Sequence, residues 1–144
     1  MSTASLTEEQ FVNYEREGFL LLGRTLETEE LDGLRSRLWE IIEGSVHYDG
    51  LKLQLYDPDE DPLTGKKFRK IGDLCLDDRF LSYFQKPLFR QITRRYYGDS
   101  VSAQRAMLFN NYPKLENAGI AFHQDGGDSW NWIYDRHPTV TVWT

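Results

Sequence analysis

The residues of this chain with the clearest capacity for chemistry are His123 and Asp125, within the segment Phe122-His123-Gln124-Asp125-Gly126. On an extended backbone, residues two apart project from the same face, so an imidazole nitrogen and a carboxylate oxygen can bind one metal ion together. These two side chains are two thirds of the 2-His-1-carboxylate triad that holds non-haem Fe(II) and leaves coordination positions open. Nitrogen and oxygen donors suit Fe(II), and they differ from the thiolates of a structural zinc site.

A His and an Asp at this spacing also occur in many proteins by chance. The other interpretation is therefore a polar loop that carries both side chains at the surface. The surrounding sequence favours a strand end that opens into a pocket, because Phe122 precedes the pair and Gly126-Gly127 follow it. The single cysteine, Cys75, cannot build a thiolate cluster or an internal disulfide.

Four helices are predicted to position these residues. Thr7 and Gln10 form the pattern of a capping box, and Gly18 is a plausible end for the helix that follows. The other three helices are predicted over about 28–43, 77–85 and 87–98, the last with Pro87 at its first position.

Four strands are predicted from apolar runs and from period-two alternation. The run Phe19–Leu22 is predicted as a buried strand, and the leucines of 51–55 alternate with polar residues. The segments 101–112 and 139–144 complete the set. With helices first and most strands later, the sequence predicts an α+β fold.

Composition excludes several classes of protein. The formal charge is −6, with 23 acidic against 17 basic residues, which argues against a general nucleic-acid binder. The apolar runs are far shorter than the ~20 residues of a membrane span, and no signal peptide is visible at the N-terminus. A single unpaired cysteine fits a reduced compartment, so we expect a cytoplasmic protein with no membrane or nucleic-acid partner.

Four segments, in order, resemble the phytanoyl-CoA dioxygenase family of Fe(II)/2-oxoglutarate-dependent oxygenases. The segments are Leu6–Leu20, Glu29–Leu38, Phe68–Gly72 and the pair formed by Phe122–Gly126 with Val140–Thr144. The resemblance implies N-terminal helices packed on a double-stranded β-helix (jelly-roll, cupin-like) core that is incomplete in this chain. It makes residues 1–144 the N-terminal portion of a single oxygenase domain, helical over about 1–98 and with its first core strands over about 101–144.

The resemblance also implies an activity and its cofactors. These are Fe(II), 2-oxoglutarate and dioxygen, used to hydroxylate or otherwise oxidise a C–H bond of a small-molecule substrate, with succinate and CO2 as co-products. His123 and Asp125 take the part of catalytic metal ligands. A carboxylate at Asp125, where related halogenases have a small residue, favours hydroxylation or another oxidation over halogenation.

Three further residues match co-substrate positions of the family. Lys70 matches a lysine whose ammonium helps to hold 2-oxoglutarate, Met107 lies where the family lines the co-substrate site, and Trp143 matches an aromatic position nearby. The alternatives are a solvent-facing lysine on a strand, and core packing for Met107 and Trp143.

The family's second metal-binding His and its basic residue for the far carboxylate of 2-oxoglutarate are not matched here. We therefore expect the remainder of the domain in the same, longer polypeptide, and no activity from the 144-residue segment alone. Two other classes stay open: a metal-free relative that acts as an interaction module, and another cupin-like protein, such as an isomerase or a sugar-binding jelly roll.

Overall fold

The computed structural model describes residues 5–56, 68–101, 105–110 and 140–144. The chain divides into two compact units, Met1–Asn110 and Asn111–Thr144. The helices and strands reported below belong to the first unit. In the second unit, the described residues 140–144 lie in neither a helix nor a strand.

Helix α1 (Glu8–Glu17) begins and ends as its sequence predicts. The Thr7 hydroxyl accepts a hydrogen bond from the backbone N–H of Gln10, and the Gln10 side chain accepts one from the N–H of Thr7. This reciprocal pair satisfies two donors that the first helical turn leaves without intrahelical partners. Gly18 ends the helix at φ 79°, a left-handed conformation that glycine adopts without a Cβ clash.

The remaining helices are α2 (Thr28–Ile42), α3 (Asp78–Phe84) and α4 (Pro87–Tyr97). A 3-10 turn over Leu74–Leu76 precedes α3. Asp77 caps α3, because its carboxylate accepts from the backbone N–H groups of Arg79 and Phe80 at 3.0 and 3.4 Å. All three helices lie within about two residues of their predicted bounds. Within the described ranges, no helix is long and apolar enough to cross a membrane.

The described strands form one antiparallel sheet in the order β1-β2-β3. Its strands are β1 (Lys52–Leu55), β2 (Phe68–Gly72) and β3 (Leu108–Phe109). β2 carries a bulge: Gln54 pairs with Lys70 and Leu55 pairs with Phe68, so Arg69 has no partner in the register with β1. The extra residue restores the side-chain alternation, which lets Phe68 and Ile71 share the buried face although they are three apart.

The core lies between one face of this sheet and the helices. Its buried members are Ile41, Phe68, Ile71, Leu74 and Ala106. Partly buried apolar side chains of α2 and α3 pack against them. One face of the sheet is therefore covered by helices, and the opposite face carries the polar residues of β1 and β2.

Two predicted strands are wrong. Phe19–Leu22 forms no strand, and Phe19 and Leu21 are 62% and 82% exposed. Val140–Thr144 is not a strand either, although its alternating Thr and Val residues have high β propensity. A strand needs a ladder of hydrogen bonds with a neighbour as well as propensity, and the described sheet takes its three strands from elsewhere.

A third prediction is correct only in part. Of the strand predicted over 101–112, the structure shows Leu108–Phe109, and residues 102–104 and 111–112 lie outside the described part of the chain. The described residues form a mixed arrangement of helices and a small sheet, and no jelly roll is identified among them. The jelly-roll core remains a prediction.

Candidate functional site

A groove lies on the face of the sheet that the helices do not cover. The pairing register places Gln54, Lys70 and Phe109 side by side across the three strands, and Lys52 beside Gly72. The groove has a volume of about 230 Å³. It is lined by Lys52, Leu53, Gln54, Lys70, Gly72, Asp73, Arg105 and Met107.

Lys70 lies at the centre of this sheet face and is partly buried. Its ammonium lies 5.2 Å from the centroid of the Phe109 ring. Among the residues that the structure describes, no carboxylate lies within ion-pair distance of it. Burial lowers the pKa of Lys70, and the positive charge of Arg105 lowers it further. Both effects act against the charged form, so the site favours any ligand that brings a negative charge.

The other end of the groove carries an ion pair. The ammonium of Lys52 lies 2.7 Å from the carboxylate of Asp73. The backbone of Asp73 adopts the left-handed conformation, with φ 58°. An aspartate tolerates this conformation better than most side chains. The described lining thus contains three cations, Lys52, Lys70 and Arg105, and one carboxylate, Asp73. Within the described lining, cations therefore outnumber carboxylates, in a chain whose formal charge is −6.

Gly72 lies beside Lys52 and contributes bare backbone to the floor of the groove. A Cβ at this position would lie 3.4 Å from the Cβ of Lys52, so a larger side chain would occupy space within the groove. Met107 adds an apolar wall. A bare backbone floor, an apolar wall and lysine ammonium groups suit a small anion with a short carbon chain.

The structure brings two of the five predicted site residues together, Lys70 and Met107. Trp143 belongs to the second unit and is 75% exposed. His123 and Asp125 lie outside the described residues. Within the described ranges, no group of three or more His, Cys, Asp or Glu side chains is placed to hold a metal ion.

Comparison with known proteins adds no relative. No family model, no curated protein and no solved structure matches this chain.

Sequence reasoning missed Arg105 as a groove residue and Phe109 as the neighbour of Lys70 on the same face of the sheet. Their positions follow from the register between β2 and β3, which pairs Phe109 with Lys70. Side chains directly opposite in an antiparallel pair share a face, so the signal existed in the alternation Arg105, Met107, Phe109. It becomes readable only when the pairing partner of each strand is known.

Proposed function

We propose that this chain is part of an Fe(II)- and 2-oxoglutarate-dependent dioxygenase that oxidises a C–H bond of a small-molecule substrate. The observation that supports the proposal is the position of Lys70, whose partly buried ammonium shares a positive groove with Met107. The resemblance assigned both residues to the co-substrate, and they share one groove on the sheet face away from the helices.

Lys70 binds a carboxylate of 2-oxoglutarate in this proposal. Its ammonium is partly desolvated and lies near other cations, and both conditions penalise an unneutralised positive charge. A bound carboxylate removes that penalty and forms a charge-assisted hydrogen bond, which is about twice as strong as a neutral one. Met107 and the Gly72 floor leave room for the carbon chain of the ligand.

His123 and Asp125 bind the metal in this proposal. Their donor atoms are one nitrogen and carboxylate oxygens, which fit Fe(II). When bound, the iron supplies the redox chemistry that couples dioxygen and 2-oxoglutarate decarboxylation to substrate oxidation. The second His and the basic residue for the far carboxylate are proposed to come from further sequence of the same polypeptide. A reducing compartment such as the cytoplasm is part of the proposal, because Fe(II) and the free thiol of Cys75 both persist there.

An anaerobic Fe(II) titration tests the metal assignment. His123→Ala and Asp125→Ala should each weaken Fe(II) binding by at least about tenfold, because each removes one ligand of an incomplete site. His47→Ala is the matched control, since His47 is exposed and is assigned no role. Binding by Asp125→Ala as tight as that of the parent chain would contradict the proposal, and absence of Fe(II) binding by the parent chain would favour a metal-free binding module.

A further inference from the structure

Phe109 is the cross-strand neighbour of Lys70 and faces the same groove side of the sheet. The two residues are direct partners in the β2–β3 pair, and the Lys70 ammonium lies 5.2 Å from the ring centroid. The next pair along, Ile71 and Leu108, packs on the core side. The Phe109 ring therefore lies on the face of the sheet away from the core, and it is 38% exposed.

The contact is a cation–π interaction, in which the electron-rich ring face attracts the ammonium. Such a ring differs from a carboxylate partner, because it holds the cation without cancelling its charge and accepts no ordinary hydrogen bond. The three N–H donors of the lysine remain available to a ligand. We propose that Phe109 is a positioning residue, whose ring holds the Lys70 ammonium in the groove as a cation ready to bind a carboxylate of 2-oxoglutarate.

This inference rests on the proposed function for the identity of the ligand, but not for the contact itself. Among the residues that the structure describes, the other charged groups that act on Lys70 are Arg105, Asp73, Arg69 and Lys52. Asp73 is paired with Lys52, and the remaining two are cations. Of these influences, Asp73 and the ring of Phe109 favour the charged ammonium, and only the ring lies directly against it.

The test compares three side chains at position 109 that differ in whether an electron-rich ring is present. Pentafluorophenylalanine at position 109 has nearly the size of Phe but a reversed ring quadrupole, Phe109→Leu removes the ring, and Phe109→Tyr keeps an electron-rich one. The first readout is the pKa of Lys70, which is measured by NMR of its ε-methylene carbon. We expect a fall of roughly half a unit with the fluorinated ring or with Leu, and none with Tyr.

The second readout is the affinity for 2-oxoglutarate, measured by calorimetry. We expect a loss of roughly threefold to tenfold with the fluorinated ring or with Leu, because the ammonium must then be ordered on binding. Phe109→Tyr should bind as the parent does. Should Phe109→Leu fail to fold, the fluorinated variant decides, since it preserves packing.

Different results would contradict the positioning role of Phe109 and the proposed function. A pKa that falls in the ring variants, in a chain that binds no 2-oxoglutarate, supports the positioning role and contradicts the proposed ligand. Binding of 2-oxoglutarate that depends on Lys70, with neither readout changed by the fluorinated ring, contradicts the positioning role and leaves the proposed function standing.

Discussion

The environment of Lys70 in the fold disfavours its charged form. Its ammonium is partly buried and lies near Arg105, and these two effects lower its pKa. Phe109 offsets part of this penalty, since the cation–π contact is worth about 0.5–1 kcal/mol at an accessible site. A charge retained at a cost to the fold is typical of binding sites, where the ligand supplies the missing interaction.

The penalty on the charged form of Lys70 makes the free energy of unfolding depend on pH in a predictable direction. Between its lowered folded pKa and the unfolded value near 10.5, the unfolded chain binds more protons, so stability rises with pH across this window. Below the window the penalty is fully present, and above it the penalty is gone. Lys70→Met should therefore be more stable than the parent at neutral pH, and the difference should shrink as pH rises towards 10.5.

Urea unfolding at several alkaline pH values measures this difference. Arg69→Met is the matched control, because Arg69 is exposed and precedes Lys70 on the same strand. A stability difference between Lys70→Met and the parent that does not change with pH would show that the ammonium of Lys70 carries no folding penalty.

Asp77 performs two structural tasks and is 3% exposed. One carboxylate oxygen caps α3, and the other accepts from the guanidinium of Arg37 at 2.7 Å. Asp77→Ala should lower the free energy of unfolding by about 2–4 kcal/mol, since it removes a helix cap and leaves Arg37 with less compensation for its burial. Asp77→Asn keeps an oxygen for the cap and should cost less. Equal losses for the two variants in urea unfolding would contradict the separation of these tasks.

At the scale of elements, the bulge at Arg69 controls which residues reach the groove. Because β2 has one residue more than β1 across the pair, Phe68 and Ile71 both face the core and Lys70 faces outward. A regular ladder with the same residues would place Phe68 on the groove side. The bulge thus allows a buried aromatic residue and an outward-facing lysine on the same strand.

Deletion of one residue tests this account of the bulge. Deleting Arg69 leaves Ile71, Lys70 and Phe68 in regular alternation, so we expect a loss of about 1 kcal/mol or less. Deleting Gln54 from β1 instead turns Leu55 away from the core and should cost about 2–3 kcal/mol. Both values come from urea unfolding. An Arg69 deletion as damaging as the Gln54 deletion would show that the bulge does not set the side-chain alternation.

The elements also show what sequence can and cannot predict. Helix ends at Thr7, Gly18 and Pro87 were predictable, because caps depend on neighbouring residues. The strand at Phe19–Leu22 was predicted wrongly, because an apolar run does not reveal whether a partner strand exists. The bulge and the place of Phe109 depend on register between segments that are distant in sequence, and no local pattern encodes it.

At the scale of the whole molecule, the described groove and its Lys70 belong to the unit Met1–Asn110. Binding of 2-oxoglutarate in this groove remains a proposal. The assignment of His123 and Asp125 as metal ligands remains a prediction from their spacing and from the family resemblance.

Only one His and one carboxylate of the facial triad are matched in this chain, which leads to a prediction about turnover. With Fe(II) and 2-oxoglutarate, the 144-residue chain should form no more succinate than its His123→Ala variant. A chain that extends past Thr144 and supplies a further His and a basic residue should be active. Succinate formation by the 144-residue chain above the level of its His123→Ala variant would contradict this prediction.

The most direct test of the account is the affinity of the chain for 2-oxoglutarate, measured by calorimetry with Fe(II) present. Lys70→Met should weaken the binding of 2-oxoglutarate by about tenfold or more, because it removes a charged hydrogen bond to this ligand. Arg69→Met, which removes a neighbouring exposed cation on the same strand, should change binding by no more than about twofold. Equal affinity in the parent and in Lys70→Met would contradict the assignment of the groove to 2-oxoglutarate.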